Sequence, residues 1–404
     1  MRIVIVGCGA AGGTAAQFAR KTSRDAEIVL YDGEGYGQYA KCALPFVLAG
    51  MRWEDIVEFP PAWFERQRIT YKNETVTSID VKRNTVTGKE EEHYDVLIIA
   101  TGAMPACPFE AEDVFFLRRL DDALALREAM ERAQSVIVIG AGLVGLEAAE
   151  ALMHEGMEVT VLEYMPHILP AMFDRDMAEY AMKQIDMEVV LNCKVEKVAH
   201  NTVYAGEKYR ADMVMVAAGN VPHVPDGGVM SVDARCHAHD NVYAAGDCTK
   251  IKDFFGRDIT VGLGTIAARQ GRVAGINAAG GNDALLPPVL SKTTKLCGVE
   301  MASVGLLGHE IDGVSGRYAG SDLPDYMNGD DLVVKVIANK KGILVGGQAV
   351  GSGAAKIIDR LALAIYNRMN VRDVARMENA YAPAVAPTFD AVTIACSMVE
   401  RKLK

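Results

Sequence analysis

Cys42 stands three residues before Pro45 in the stretch YAKCALPFVLAG, residues 39–50. The apolar run that follows it reads as a buried helix with Pro45 in the first turn, where a missing N–H costs little. At the positive end of such a helix a thiol is held as the reactive thiolate, whereas a packed, inert cysteine is the alternative reading. Two glycine clusters carry a second chemistry. Gly7-x-Gly9-x-x-Gly12 follows RIVIV, with Ala10 and Ala11 inside it, and Asp32 ends the segment EIVLYD 20 residues beyond Gly12. Gly140-x-Gly142-x-x-Gly145 follows SVIVI, with Leu143 and Val144 inside it, and Glu163 ends EVTVLE 18 residues beyond Gly145. In this pattern the glycines let backbone N–H groups approach a pyrophosphate at a helix N-terminus, and the acid binds ribose hydroxyls. Two such units imply two dinucleotides.

Each cluster needs a strand before it, a helix after it and a second strand to deliver the acid. Three further strand ends join them. YDVLIIATGAMP ends in Ala100-Thr101-Gly102, ADMVMVAAGNVP turns at Gly219, and NVYAAGDCT brings Gly246 and Asp247 to another strand end. An aspartate near a topological switch point can hold a sugar-like chain by its hydroxyls, or simply cap a turn. The order of motifs predicts an α/β nucleotide domain at 1–112 and 241–290, interrupted by a second nucleotide domain at 113–240. After Pro287-Pro288 the texture changes. DLVVKVIANKKGILVGGQAVG reads as antiparallel strands around a Lys-Gly turn and AAKIIDRLALAIYNRM as an amphipathic helix, so 291–404 forms a separate α+β domain. Its segment NAYAPAVAPTFDAV is too rich in proline and alanine for ordinary core.

Composition narrows the function classes. The 404 residues suffice for two or three domains, and 50% of them are hydrophobic. A net charge of −11 without a long basic run lacks the footprint of a nucleic-acid binder. No apolar run is long enough to span a bilayer, and a first strand beginning by Arg2 leaves no room for a signal peptide, so the expectation is a cytoplasmic protein. Eight cysteines without a CxxC pair argue against a zinc ribbon or a dithiol motif. CHAHD, residues 236–240, is accounted for by a strand and turn, and no metal is expected. His154, His167 and His309 stand alone.

Jointly these motifs resemble the pyridine nucleotide-disulfide oxidoreductases, and within them the single-cysteine branch of coenzyme A-disulfide reductases, NADH oxidases and NADH peroxidases. The likeness spans essentially the whole chain. It implies two Rossmann-like domains and a C-terminal dimerisation domain, FAD on the first glycine cluster, NAD(P)H on the second, and a homodimer whose C-terminal domain completes the partner's site. Glu163, with no arginine close behind it in EYMPHILP, favours NADH over NADPH. Cys42 matches the family's lone redox cysteine over the flavin, and CALPF is close to the reductases' CxLPY. Tyr381 matches the tyrosine of the family's YAPP segment, and Tyr326 fits the second tyrosine beside the active sulfur. Thr14, Phe18, Lys21, Gln38 and Lys41 match positions that contact coenzyme A in the reductases. Only the threonine is kept, although Lys21 and Lys41 could meet phosphates as point charges. Ala10 occupies the position of a histidine in the oxidases and peroxidases, as it does in the disulfide reductases. The implied substrate is a low-molecular-weight disulfide, with a persulfide, a polysulfide or oxygen as alternatives. The rival readings are an electron-transfer flavoprotein serving a small redox protein and a non-catalytic NADH-responsive sensor.

Overall fold

Ile3 and Ile5 face one side of the strand Arg2–Val6, Val4 and Val6 face the other, and all four are buried. Burial on both faces is the signature of a central parallel strand covered by helices. The computed structural model describes residues 1–260 and 262–404. They form two compact units, the first made of 1–108, 115–133 and 218–288 and the second of 109–114, 134–217 and 289–404. The first unit thus takes in 115–133 and 218–240, which motif order alone assigns to the inserted domain. Helices α1 (Ala10–Thr22), α2 (Leu44–Leu48), α3 (Leu143–His154) and α4 (Gly264–Ala278) carry or border the predicted site residues.

In the first unit Arg2–Val6 lies between parallel strands Glu27–Tyr31 and Val96–Ile99 in a six-stranded sheet that also contains Val242–Ala244. The strand ends before Gly7, Asp32, Ala100 and Ala245 therefore point the same way, and the loops that follow them gather at one edge. Against the sheet, α1 packs closely on α4. A Cβ on Gly271 would stand 2.2 Å from the Ala11 carbonyl oxygen and one on Gly275 2.3 Å from that of Ala15. These two glycines let the alanine-rich face of α1 come into backbone contact with α4.

In the second unit Ser135–Ile139 is flanked by parallel strands Glu158–Leu162 and Met213–Val216 in a four-stranded sheet. A five-stranded antiparallel sheet follows, with Asp331–Asn339 paired to Leu344–Gly351. Helices Ala354–Tyr366 and Ala391–Lys402 pack on it. Asp331–Asn339 is buried along nearly its whole length, Lys335 included. Asp174 and Asp176 pair with that lysine inside the unit at 2.9 and 2.6 Å. Residues 380–389 are largely exposed, and Val385 and Phe389 show 76% and 66% of their surface, which accounts for a composition unlike core.

Candidate active site

Gly7 adopts φ +105°, and a Cβ there would sit 2.3 Å from the Ala100 carbonyl oxygen. Gly12 supports the same turn from below, where a Cβ would lie 1.7 Å from the Gly7 carbonyl oxygen. Gly9 is the N-cap of α1 with no side-chain cap, so the first N–H groups of the helix remain available to an anion. Asp32 is 4% exposed and fixed at three points: Oδ1 accepts from Glu34 N at 3.0 Å, and Oδ2 from Gly37 N at 2.9 Å and the Tyr71 hydroxyl at 2.5 Å.

A cavity of about 650 Å³ opens over this turn. Gly7, Gly9, Ala10, Ala11 and Asp32 line it, joined by Ala100, Thr101 and Gly102 from a neighbouring strand end. Gly246 and Asp247 line it from a third, and Lys41 and Cys42 from the loop before α2. A glycine turn with open N–H groups, a fixed carboxylate and a cavity of this size suit a dinucleotide, and the residues present fit FAD. Arg118 also lines the cavity and pairs with Asp247. It escaped the sequence reading because nothing in FFLRRLDD ties that arginine to a residue 129 positions away.

Cys42 is exposed in the single turn Lys41–Ala43 just before α2, and Pro45 lies in the first turn of α2. The expected source of the field at the thiol needs correction, because α2 has five residues and supports little macrodipole. The 15-residue α4 begins beside the sulfur instead: a Cβ on Gly264, its first residue, would stand 3.7 Å from Cys42 Sγ. No side chain caps α4 at Leu263. The N-terminus of α4, rather than that of α2, is therefore the end of a long helix that lies beside the sulfur, where a dipole would favour a thiolate.

Lys41 departs from the expectation of a lysine poised for phosphate. Its ammonium is held by Glu34 Oε1 at 2.5 Å and donates to the Tyr39 hydroxyl at 3.1 Å. That hydroxyl donates to Glu34 Oε2 at 2.5 Å and accepts from Leu120 N at 3.0 Å. Burial lowers the Lys41 pKa, with Glu34 opposing the shift. Burial and Glu34 together push the Tyr39 phenol far up. Thr14 and Lys21 lie outside this cavity, with Phe18 between them on one face of α1 at helical spacing. The Lys21 ammonium is 4.7 Å from the Phe18 ring centre and the Arg272 guanidinium 5.6 Å.

In the second unit the glycine turn is rebuilt with the same logic. Gly140 has φ +112°, Gly142 is the N-cap of α3, and a Cβ on Gly145 would lie 1.9 Å from the Gly140 carbonyl oxygen. Nothing lies within 4 Å of a Cβ on Gly142, so the turn is open to a ligand. Leu143 and Val144 start α3, with Val144 41% exposed. Glu163 is 6% exposed and accepts from Ala141 N at 2.6 Å and Met165 N at 2.7 Å, so it braces the turn as well as offering an acid. Gly219, exposed at φ +110°, belongs to the first unit.

Tyr326 and Tyr381, 55 positions apart in the chain, come close enough for Tyr381 to raise the Tyr326 phenol pKa. Both are exposed, at 69% and 52%. Five other cysteines (8, 193, 236, 248 and 396) are buried, and burial raises the pKa of each, for Cys236 and Cys396 to about 12. Among the described residues no group of three His, Cys, Asp or Glu side chains could hold a metal ion, and no helix is long and apolar enough to cross a membrane.

Comparison with known proteins agrees with this geometry. Residues 1–276 match the pyridine nucleotide-disulphide oxidoreductase family and residues 292–392 its dimerisation domain. An NADH oxidase of Methanocaldococcus jannaschii is 34% identical over all of this chain and 99% of its own length. A CoA-dependent NAD(P)H sulfur oxidoreductase of Pyrococcus abyssi is 30% identical over 97% of this chain and 96% of its own. Among solved structures, an NAD-dependent persulfide reductase from A. fulgidus superposes with a TM-score of 0.94 at 32% identity, covering all of this chain and 83% of that one. The chain belongs to the pyridine nucleotide-disulphide oxidoreductase family and is an NAD(P)H-dependent oxidoreductase of this flavin-using group.

Proposed function

We propose that the protein reduces the sulfur–sulfur bond of a low-molecular-weight disulfide or persulfide at the expense of NADH, with Cys42 as the single redox-active residue of the chain. For a disulfide RSSR the balance is RSSR + NADH + H⁺ → 2 RSH + NAD⁺. The observation that carries the reading is an exposed Cys42 in the same cavity as the first glycine turn, with its sulfur beside the start of α4. The Gly7–Gly12 turn, Asp32 and Asp247 would hold FAD, which would supply the two-electron relay between nicotinamide and sulfur. The Cys42 thiolate attacks one substrate sulfur, forming a mixed disulfide and releasing the other sulfur as a thiolate. The Tyr326–Tyr381 pair, contributed by a second copy of the chain, donates the proton to that leaving group. The family's dimerisation domain at 292–392 supports a homodimer, and the exposed Val385 and Phe389 beside Tyr381 suit burial against a partner.

The low-molecular-weight class is supported by relatives named for coenzyme A disulfide and for persulfide or polysulfide. Thr14, Lys21 and Lys41 are the candidate substrate contacts. Engagement of Lys41 by Glu34 weakens the case for a phosphate anchored there and favours a small sulfur substrate over coenzyme A disulfide. Glu163 favours NADH, since a buried carboxylate at the strand end opposes a 2′-phosphate. Ala10 offers no imidazole for peroxide chemistry, which counts against a peroxidase. The test is anaerobic turnover with NADH and a panel of disulfides and persulfides, counting thiols released per NADH. Cys42→Ser should abolish thiol release while NADH still bleaches the flavin. Persistent reduction of a small redox protein by that variant, with thiol release lost, would instead support an electron-transfer flavoprotein.

A further inference from the structure

Asp247 is not alone at its strand end. Its Oδ2 accepts from Arg118 Nη2 at 2.8 Å, and both side chains are mostly buried, at 15% and 20% exposure. The same guanidinium donates from Nε to the Ala103 carbonyl oxygen at 3.0 Å. A Cβ on Gly102 would come within 3.4 Å of Nη2, so the glycine at that strand end leaves room for the guanidinium. The main chain beneath it is fixed too, because the N–H groups of Arg118 and Arg119 both donate to Asp122 Oδ2, at 2.9 and 2.7 Å. One planar cation therefore joins the Gly102–Ala103 wall, the Asp247 wall and the segment entering the helix Leu120–Met130.

We propose that Arg118 is a positioning residue for the flavin, holding the Asp247 carboxylate by Oδ2 so that Oδ1 accepts from the cofactor's polyol hydroxyls. The inference rests on the reading of Asp247 as a flavin ligand. A guanidinium suits the task because its donors are set at fixed angles: one satisfies Ala103 while another holds the carboxylate. Without it Asp247 is free to rotate, and its ordering falls on the cofactor as it binds. A lysine would restore the charge but not the second directed bond.

The test is the rate at which FAD leaves the full-length holoenzyme on dilution, followed by the rise in free-flavin fluorescence. Arg118→Met should release FAD about tenfold faster, the value of one charge-assisted hydrogen bond. Arg118→Lys should fall between that and the unchanged protein. Arg118→Met combined with Asp247→Asn should release FAD no faster than the worse single variant, because the two residues act through one contact. Thermal unfolding of each variant controls for folding, and if Arg118→Met does not fold, Arg118→Lys and Asp247→Asn still give the comparison. If Asp247→Asn speeds release but neither arginine variant does, the role of Arg118 is overturned and that of Asp247 stands. If Asp247→Asn releases FAD at the unchanged rate, the reading of Asp247 fails and the proposal fails with it.

Discussion

Replacing Glu163 with glutamine isolates what the second glycine turn does to a 2′-phosphate. The carboxylate is 6% exposed and gripped by Ala141 N at 2.6 Å and Met165 N at 2.7 Å, so it cannot swing away from an arriving anion. Two unit charges about 6 Å apart repel by about 3 kcal/mol at an effective dielectric of about 20, a factor of about 100 in relative binding. Glutamine removes that repulsion but turns an NH₂ toward one of the two N–H donors, which costs about 1–3 kcal/mol for the donor left unsatisfied. The cost falls on NADH and NADPH alike; the relief falls on NADPH alone. Kd or kcat/KM for NADH should therefore worsen, while the NADH to NADPH ratio moves by about 100-fold toward NADPH at low salt. Stopped-flow bleaching of the flavin by each nucleotide gives both constants. A ratio left unchanged by the substitution refutes the reasoning, whatever happens to the absolute values.

Gly7→Ala meets both a positive φ and a Cβ placed 2.3 Å from the Ala100 carbonyl oxygen, so this variant should purify without the visible absorbance of bound flavin. Tyr381→Phe removes the hydroxyl that raises the Tyr326 phenol. Since a raised phenol stays protonated to higher pH, the alkaline limb of the rate profile should move to lower pH in the variant, and an unmoved limb argues against the pair as proton donor. Lys335→Met leaves Asp174 and Asp176 without their shared cation and should cost about 3–5 kcal/mol in denaturant unfolding. Burial alone would raise the Asp174 carboxyl, but Lys335, with Gln348 and the Gly308 N–H, holds it below its ordinary value. The stability it contributes is thus complete above the ordinary carboxylate range and is lost as pH falls through the depressed value. In Lys335→Met that loss should begin at higher pH.

The glycine turns and their acids were legible because each lies within one strand-turn-helix-strand unit, where local spacing dictates geometry. Gly7, Gly12 and Asp32 needed only about thirty residues of context. Contacts between distant segments were not legible. Nothing in the sequence places Gly264 beside Cys42, so the field at the thiol was ascribed to the adjacent α2 rather than to α4. Lys41 read as a solvent-facing or phosphate-facing cation because its partner Glu34 lies across a loop, and the partnership becomes visible only once Tyr39 and Leu120 close the network. Gly271 and Gly275, spaced one helical turn apart, were an available signal for the close approach of α1 and α4. Tyr326 and Tyr381 were paired by resemblance, and their proximity is a tertiary fact.

Burial of five cysteines has a consequence for durability. Polysulfides and oxidised thiols attack whatever thiolate they can reach, and a chain that meets them is open to scrambling of its own sulfurs. Sulfurs at 8, 193, 236, 248 and 396, kept protonated and out of contact with solvent, offer such reagents almost no foothold. Damage by electrophiles should then concentrate on Cys42, Cys107 and Cys297, and the rest of the sulfur inventory should survive many turnovers intact.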